Sequence, residues 1–557
     1  MRPPLGAVLL AVSLPAGAAS PVPIAPWLAA LEATAPCGPE LLAQVRRFYE
    51  LRGLLPAWTD ERGPRPQAWE LVAALAAAGG EGLAPETYGA AELAGRLPRL
   101  RDGPRAAEER ADAEMALTRA ALLYATHLLR GRVEPASVDP AWYAIPRRAD
   151  LAALLADAVE ENRVGRALAG LAPPHADYAR LRQELARYRG LAVPGWPEIP
   201  AGPTLREGDR GPWSRLRPLE LRLAAEGYLP AVAPRLRAAN GDPTAAAKPE
   251  ELVYDAPLRA AVADFQRRNG LQGVAREGEL DTSTVRELNI PAAARVRQIE
   301  LNLERWRWLP GDLGDAHLRV NLPAFSLTAF AGDRPELVMA VVVGRQGWGT
   351  PLFHGEVDQI VLNPEWNVPE SIAAREILPE AQRDPGYLER EGYEVLSGWG
   401  ADAVTLDPLS IDWRQIEPGS LGYRFRQPPG PRNALGRIKF VFPNRHSIYL
   451  HDTPAREVFR RSVRAVSHGC IRVEKARALA VWALGGEGDW DGDRLDAAIA
   501  AGETRWLRLP RPLPVFLLYW TAFPADEPDA GPLHFRPDLY GVDRALADAL
   551  EASADGG

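Results

Sequence analysis

The sequence contains very few cysteines, with Cys37 and Cys470 the only two among 557 residues. At most one disulfide can form, so a cysteine-stapled framework is excluded. In an exported protein, the first interpretation of two cysteines is that they pair. The surroundings of Cys470, Ser467-His468-Gly469-Cys470-Ile471-Arg472, argue against that pairing, because a structural staple has no need of them. The role of Cys37 stays open.

Long apolar runs and an excess of positive charge are also lacking. No stretch after the N-terminus approaches eighteen uninterrupted apolar residues, which argues against a later transmembrane helix. The formal net charge of −8 gives no general reason to expect nucleic acid as a partner. Residues 1–19 combine Arg2, an apolar stretch from Leu5 to Leu14 and the small residues 16–19, a pattern typical of a signal peptide. An uncleaved anchor is the alternative.

A chain of this length predicts several domains, and the first half is helical in pattern. Residues 28–195 are rich in Ala, Leu, Glu and Arg, and Met115, Leu122 and Leu129 recur at a spacing of seven, which predicts an amphipathic helix. Gly131 and Pro135 should end that helix. We interpret residues 28–195 as a structural scaffold domain.

A linker rich in Pro and Gly, residues 194–203, separates this region from a compact helical unit over 205–291. Leu258, Val262 and Phe265 lie at positions i, i+4 and i+7, the spacing of one helical face. A long insertion around 240–251 interrupts the unit.

From residue 315 onward the pattern becomes that of β-strands. Strands are predicted at 337–343, 357–362, 438–442 and 513–519. We expect a mostly-β domain over 315–525, with an insertion of mixed helix and loop at 370–430 and a C-terminal tail at 526–557. The predicted fold class is therefore multidomain α+β.

The segment around Cys470 has the features of an activated nucleophile. A thiolate is favoured by a nearby imidazole, guanidinium or helix N-terminus, and this segment offers candidates for all three. His451 lies 19 residues upstream, too far for one helical face. It reaches Cys470 if the strand-like Ser447-Ile448-Tyr449-Leu450 runs into a helix that turns back. Thr453 can cap such a helix, with Pro454 in its first turn.

These motifs resemble the catalytic signature of YkuD-type L,D-transpeptidases, in particular the large periplasmic subclass. The resemblance is carried by Tyr449-Leu450-His451-Asp452-Thr453-Pro454 and the cysteine motif, and is supported by 302–310, 361–369 and 433–440. It implies a helical scaffold, a three-helix peptidoglycan-binding-like domain at 205–291, a catalytic β-sandwich at 315–525 and a capping insertion at 370–430. Binding of glycan by the peptidoglycan-binding-like domain stays open beside a spacer or dimerisation role.

For the catalytic roles, we predict that Cys470 attacks an amide carbonyl and that His451 takes the thiol proton. Asp452 should point to the opposite side of the strand, leaving a backbone carbonyl to orient His451. His468 is either a competing base or a residue that holds the loop. Gly469, with the neighbouring N–H groups of His468 and Cys470, should form an oxyanion hole.

For substrate binding, Arg472 is suited to a carboxylate, with an ion pair to Glu474 as the structural alternative. Tyr449 shares the strand face of His451, and the resemblance places it in the substrate groove. Trp366, Asn433 and Gly436 are further candidates for that groove.

No cofactor is expected, because exchanging one amide for another needs no nucleotide. A zinc site is the weaker interpretation of His451, Asp452, His468 and Cys470, since their spacing matches no closed Cys/His pattern and Arg472 would repel a cation. The resemblance implies peptidoglycan stem peptides as partners, with a tetrapeptide donor and a diaminopimelate acceptor, and cell-wall synthesis proteins as possible further ones. It implies 3→3 cross-linking in the periplasm, release of D-Ala and acylation by carbapenems. A cell-wall carboxypeptidase or endopeptidase, or a non-catalytic wall scaffold, are the alternatives.

Overall fold

The computed structural model describes residues 24, 26, 28, 38–100, 106–142, 146–230, 251–271, 273, 276–400, 402–485, 490–525 and 531–555. The predicted signal peptide, Cys37 and nearly all of the 240–251 insertion lie outside these residues. The chain divides into two compact units. The first consists of Met1–Arg132, Arg148–Pro173 and Ala554–Gly557, and the second of Val133–Arg147 and Pro174–Ser553.

The regular elements confirm the multidomain α+β class, with a helical N-terminal region and a mostly-β C-terminal region. The α-helices are Pro39–Leu51, Pro66–Ala76, Ala90–Arg96, Ala106–Arg130, Pro135–Val138, Leu151–Glu160, Val164–Ala169, Ala176–Ala192, Trp213–Glu226, Ala256–Arg268, Thr282–Leu288, Ala292–Arg307, Glu370–Ile372, Leu378–Arg383, Gly386–Arg390, Ala476–Ala483, Gly492–Ala500 and Val542–Asp555. The 3-10 turns are Ala77–Glu81, Pro85–Tyr88, Leu97–Arg99, Pro408–Ser410, Trp413–Gln415 and Arg456–Arg460, and Ala373–Ile377 is a π-helical turn.

The strands, in chain order, are β1 (Thr59–Asp60), β2 (Gly63–Pro64), β3 (Arg210–Pro212), β4 (Glu251–Val253), β5 (Ala316–Asn321), β6 (Ser326–Ala331), β7 (Arg334–Gly344), β8 (Phe353–Leu362), β9 (Trp366–Asn367), β10 (Glu394–Leu396), β11 (Thr405–Leu406), β12 (Arg424–Gln427), β13 (Ile438–Val441), β14 (Leu450–His451), β15 (Ala465–Ser467), β16 (Ile471–Val473), β17 (Arg505–Leu518), β18 (Ala522–Phe523) and β19 (His534–Phe535). The four strands predicted from sequence are all present, as parts of β7, β8, β13 and β17; β13 and β17 end one residue before the predicted bound.

The first unit is a helical assembly around one apolar core. Its long helix Ala106–Arg130 buries Met115, Leu122 and Leu129, which confirms the prediction from their spacing, and Gly131 follows it with φ +87°. A buried carboxylate fixes an adjacent turn. Glu114 accepts hydrogen bonds from the N–H groups of Ala57, Trp58 and Thr59 at 2.6–3.0 Å. Burial raises the pKa of Glu114, and these hydrogen bonds oppose that rise.

In the second unit, the helices of residues 205–291 form their own cluster, to which Leu258, Val262 and Phe265 contribute as predicted. The unit also includes the helix Ala176–Ala192, which the sequence places in the scaffold domain. This helix contacts Ala292–Arg307, where Arg189 donates to Glu300 at 2.7 Å.

The C-terminal β region is a sheet that closes on itself. Its strand order is β15-β7-β16-β14-β13-β8-β17-β5-β6, and β6 pairs with β7 as well as with β5. Closure leaves β6 without a free edge and encloses the apolar side chains of β5, β7, β8, β13 and β17 in one core. The strands β14 and β16 pair in parallel within this ring, with Leu450 opposite Ile471 and His451 opposite Arg472.

The insertion at 370–430 is a small folded body beside the sheet. Strands β11-β10-β12-β9 form a four-stranded sheet of their own. A separate apolar cluster, which includes Leu378, Val395, Trp413 and Phe425, fills the space between this sheet and the surrounding helices. The insertion therefore has its own core.

The segment predicted as a C-terminal tail is instead structured. Its strand β19 pairs with β18, and the helix Val542–Asp555 buries Val542, Leu546 and Leu550 in the core of the closed sheet. The spacing of four between these three residues is the amphipathic signal that identifies the helix. In the described part of the chain, none of the helices combines the length and apolarity needed to cross a membrane.

Replacing Glu114 by Gln should destabilise the first unit. The amide would place its NH2 group against the Ala57 N–H, and an unsatisfied buried donor costs about 1–3 kcal/mol. Thermal unfolding of the full chain should show a lower melting temperature for the first unit. Glu92→Gln is the matched control, because Glu92 is a solvent-exposed helical residue. Equal shifts in both variants would contradict a structural role for the buried carboxylate.

Candidate active site

Cys470 follows a tight turn between β15 and β16. Gly469 adopts φ +114°, a conformation that favours glycine, and a Cβ there would lie 3.2 Å from Ile448 Cδ1. Ser467 Oγ donates to the Cys470 carbonyl at 2.6 Å and accepts the Gly469 N–H at 3.2 Å, while Thr350 donates to the Gly469 carbonyl at 2.7 Å. Gly469 therefore uses its N–H within the turn and does not offer it to an oxyanion in this structure, contrary to the prediction.

The thiol of Cys470 is half-buried and surrounded by polar groups. It lies 3.7 Å from the Ser447 carbonyl, and both the backbone and the hydroxyl of Tyr449 form hydrogen bonds with it. Burial raises the pKa of Cys470, while Tyr449 and the positive charges of Lys439 and Arg472 act in the opposite direction. The thiol is therefore mostly protonated at neutral pH.

The segment between β14 and Cys470 differs from the prediction. Ser447 has φ +55°, so the extended segment begins only after it. Thr453 does not cap an α-helix, because the first helical turn, Arg456–Arg460, is 3-10 and begins after Ala455. Cys470 leads directly into strand β16 and not into a helix. The parallel pairing of β14 with β16, rather than a helix that turns back, places His451 near Cys470.

His451 is buried, with 4% of its surface exposed. Its Nδ1–H donates to the Asp452 carbonyl at 2.5 Å, so Nε2 is the basic nitrogen. The Asp452 carboxylate instead accepts the Arg437 N–H at 3.0 Å and pairs with Arg456. Orientation of His451 by a backbone carbonyl is thus confirmed.

The charge state of His451 follows from its surroundings. Burial and then the charge of Arg472 lower the pKa of His451 to about 3, and Lys439 acts in the same direction. The imidazole is neutral at physiological pH and can accept a proton. Among the described residues, the hydrogen-bond partners of the Cys470 thiol are Ser447 and Tyr449, so no direct hydrogen bond joins the thiol to His451 here. The rings of Tyr449 and His451 lie 5.6 Å apart.

His468 is held by the insertion. Its Nε2 lies 2.6 Å from Glu376 Oε1, and Arg345 donates to the same oxygen at 2.7 Å. Burial acts to raise the pKa of Glu376, but the hydrogen bonds from His468 and Arg345 outweigh it and lower that pKa. The edge of the His468 ring contacts Trp348. This placement fits the loop-holding alternative for His468.

Arg472 lies opposite His451 in the parallel pair, and its Nε atom is buried without a hydrogen-bond partner in the described chain. The predicted ion pair with Glu474 is not formed between these described residues, because the Glu474 carboxylate accepts the Ala340 N–H at 3.1 Å. Burial lowers the pKa of Arg472, and Cys470 and Glu457 oppose this effect. A guanidinium with a free buried N–H beside the thiol is suited to an anionic ligand.

The other predicted groove residues divide into two groups. Trp366 lies on β9, just before the insertion and at the edge of its four-stranded sheet, and its side chain hydrogen-bonds with the Tyr449 hydroxyl. Asn433, 1% exposed, donates to the carbonyls of Pro364, Gln427 and Pro428. Its amide holds the base of the insertion, which is a correction to its predicted contact with substrate.

Gly436 is likewise a positioning residue and not a substrate contact. It has φ +62°, and a Cβ there would lie 2.4 Å from Asp452 Oδ2. The carboxylate of Asp452 packs directly on this glycine and leaves no room for a ligand.

Sequence reasoning missed Lys439 and Glu376. Lys439 lies on β13 opposite His451, with its Nζ atom 3.9 Å from the centre of the Tyr449 ring. A charge inside an alternating strand pattern usually faces solvent, which hides such a residue. Glu376 is separated from His468 by 92 positions, so no local motif links them.

Comparison with known proteins confirms the predicted resemblance. Residues 315–494 match the family model of the YkuD domain, the L,D-transpeptidase catalytic domain, and residues 43–185 match that of a scaffold domain. A Haemophilus influenzae protein named "Putative L,D-transpeptidase" is 34% identical over 294 residues, which are 52% of this chain and 57% of that protein. The chain thus covers little more than half of this relative.

Among solved structures, an L,D-transpeptidase from Mycobacterium smegmatis matches with 10% sequence identity and a TM-score of 0.18. The match covers 37% of this chain and 58% of that chain. A TM-score this low supports no inference.

Gly436→Ala should destabilise the second unit more than an ordinary glycine replacement at positive φ. Gly422→Ala is the matched control, because Gly422 has φ +64° but a Cβ there would lie 4.0 Å from its nearest neighbour. The left-handed conformation costs about 1–2 kcal/mol in both variants, and only Gly436→Ala adds the clash with Asp452. Thermal unfolding measures the difference. Equal destabilisation would show that the Asp452 contact is unimportant.

Glu376→Gln should weaken the attachment of the insertion to the cysteine turn. Because the pKa of folded Glu376 is lowered, its contribution to stability is present above its unfolded pKa and is lost as pH falls through the folded value. The carboxylate is 40% exposed, so the loss is at most about 1 kcal/mol. Melting temperatures of the wild type and variant should differ near pH 7 and converge near pH 3. Glu380→Gln, in an exposed ion pair with Arg383, is the control; a difference that persists in acid would contradict the role of the charge.

Proposed function

We propose that this chain, which carries a scaffold domain and a YkuD-type L,D-transpeptidase catalytic domain, forms 3→3 cross-links in peptidoglycan through a cysteine thioester. The observation that supports this most is the half-buried Cys470 thiol, placed by the β14–β16 pair beside Tyr449, neutral His451 and the cation Arg472. Such a site holds a nucleophile, a proton acceptor and a group that attracts carboxylates, the three requirements for acyl transfer between anionic peptides.

In the first step, Cys470 Sγ attacks the carbonyl carbon between the L-centre of diaminopimelate and the D-Ala at position four of a tetrapeptide stem. The S–C bond forms, the C–N bond breaks, and D-Ala leaves with a proton on its amine. His451 Nε2 takes the thiol proton and returns it to this amine. Such general acid–base transfer contributes about 10²–10⁴-fold to the rate.

In the second step, the side-chain amine of an acceptor diaminopimelate attacks the thioester. A new amide bond forms, the S–C bond breaks, and the proton of the amine returns to the thiol. Bond energy is conserved from amide to amide, so the cycle needs no nucleotide.

Arg472 is the proposed contact for a substrate carboxylate. Its charge is one of the influences that lower the pKa of His451. A carboxylate bound to Arg472 offsets that charge and makes His451 a stronger base when substrate is present. Substrate binding and activation of the thiol are coupled in this way.

The site of action follows from the same chemistry. We place the mature protein in the periplasm, exported by residues 1–19, where stem peptides and cell-wall synthesis proteins are its partners. Carbapenems, which acylate nucleophiles of this class, should acylate Cys470.

Intact mass of the purified mature protein after incubation with a tetrapeptide stem should show an acyl adduct lacking D-Ala on the wild type and not on Cys470→Ala. The adduct should resolve to a cross-linked dimer. His451→Gln should slow its formation about 10²–10⁴-fold. His468→Gln is the companion variant and should slow it less, because His468 is engaged with Glu376.

The other outcomes are equally decisive. An adduct that resolves only to tripeptide would replace the cross-linking proposal with a hydrolase. Equal losses in the two histidine variants would remove the assignment of His451 as the base. No adduct on folded, reduced protein would exclude both enzymatic functions for this substrate.

A further inference from the structure

Lys439 is a charged residue in the middle of a closed sheet. It lies on β13, and its neighbour across β14 is His451. Its side chain is half-buried, and burial lowers the pKa of Lys439. A buried ammonium is unfavourable unless opposite charge or polar groups compensate it. Among the ion pairs of the described residues, Lys439 has no carboxylate partner, so its compensation comes from elsewhere.

Two groups face the ammonium. The Tyr449 ring presents its face to Nζ at 3.9 Å from the ring centre, the geometry of a cation–π contact. The Cys470 sulfur is the second. The negative charge of its thiolate acts to raise the pKa of Lys439, and the positive charge of Lys439 acts to lower the pKa of Cys470. Tyr449 connects the two, since its hydroxyl hydrogen-bonds with the sulfur.

The remaining neighbours of the sulfur do not duplicate this role. His451 on β14 is neutral and supplies no positive charge to the thiolate. Arg472 on β16 is cationic, but its buried Nε atom lacks a hydrogen-bond partner in the described chain, and the proposed function assigns its guanidinium to a substrate carboxylate. Lys439 on β13 is the cation that remains when Arg472 is occupied by an anionic substrate.

We propose that Lys439 is a positioning residue that stabilises the Cys470 thiolate, by its charge and by fixing the Tyr449 ring so that the hydroxyl donates to the sulfur. The thiol loses its proton to His451 or to solvent, and Lys439 remains protonated throughout. The inference deepens the proposed function, since the same thiolate is the nucleophile there. It is tested without a peptide substrate, so the two can fail separately.

The experiment is the pH dependence of Cys470 alkylation by iodoacetamide in the full chain. Trypsin cleaves after Arg464 and Arg472, so the modified peptide 465–472 reports Cys470 separately from Cys37. The variants are Lys439→Met, which removes the charge at similar volume, and Lys439→Arg, which retains it. Lys475→Met is the control, because Lys475 lies in the same domain and donates to the Val338 carbonyl.

Lys439→Met should slow alkylation about tenfold near pH 7, because loss of a favourable positive charge raises the pKa of the thiol and lowers the fraction present as thiolate. Its rate profile should move to higher pH. Lys439→Arg should restore most of the rate, and Lys475→Met should match the wild type.

An unchanged profile in folded Lys439→Met overturns the proposal. Equal slowing in Lys439→Met and Lys439→Arg overturns the role of charge, because packing on Tyr449 would then explain both. Lys439→Gln, which keeps a polar side chain in the strand, decides the question if the Met variant does not fold.

Discussion

The parallel pairing of β14 with β16 is the constraint on which the site depends. These strands are separated by about twenty residues of chain, and their register places His451 opposite Arg472 and Leu450 opposite Ile471. Because side chains alternate along a strand, Tyr449 and His451 then share one face. The closed sheet fixes this pairing from both sides, since β14 also pairs with β13 and β16 with β7.

The electrostatics of the site balance burial against nearby positive charge. Burial raises the pKa of Cys470 and lowers that of His451, so both groups are neutral at rest. Lys439 and Arg472 act on both groups, favouring the thiolate and opposing an imidazolium. An ion pair of thiolate and imidazolium is therefore disfavoured here. Stabilisation of the anion falls to fixed cations and to the Tyr449 hydroxyl.

The sequence predicts those parts of the site that local rules determine. A glycine at positive φ before Cys470, the shared face of Tyr449 and His451, and an Asp452 carboxylate that does not orient His451 all follow from turn and strand geometry. The roles of Asn433 and Gly436 are different, because only the packed structure shows that an amide or a missing Cβ is used internally. Lys439 and Glu376 depend on contacts distant in sequence, and no single-chain pattern reveals these. The helix Val542–Asp555 could have been predicted from the spacing of its apolar residues. Its position near the end of the sequence is not evidence against a helix.

Two polar contacts join the insertion and its sheet to the segment around Cys470. Glu376 of the insertion holds His468, two residues before Cys470, and Trp366 on β9 holds the hydroxyl of Tyr449. The insertion has its own core, so its internal packing does not depend on these contacts. Polar contacts of this kind are each worth little in stability, but they act on the residues beside the sulfur. Both contacts therefore act on side chains beside Cys470, whereas β14 and β16 are held by backbone pairing within the closed sheet.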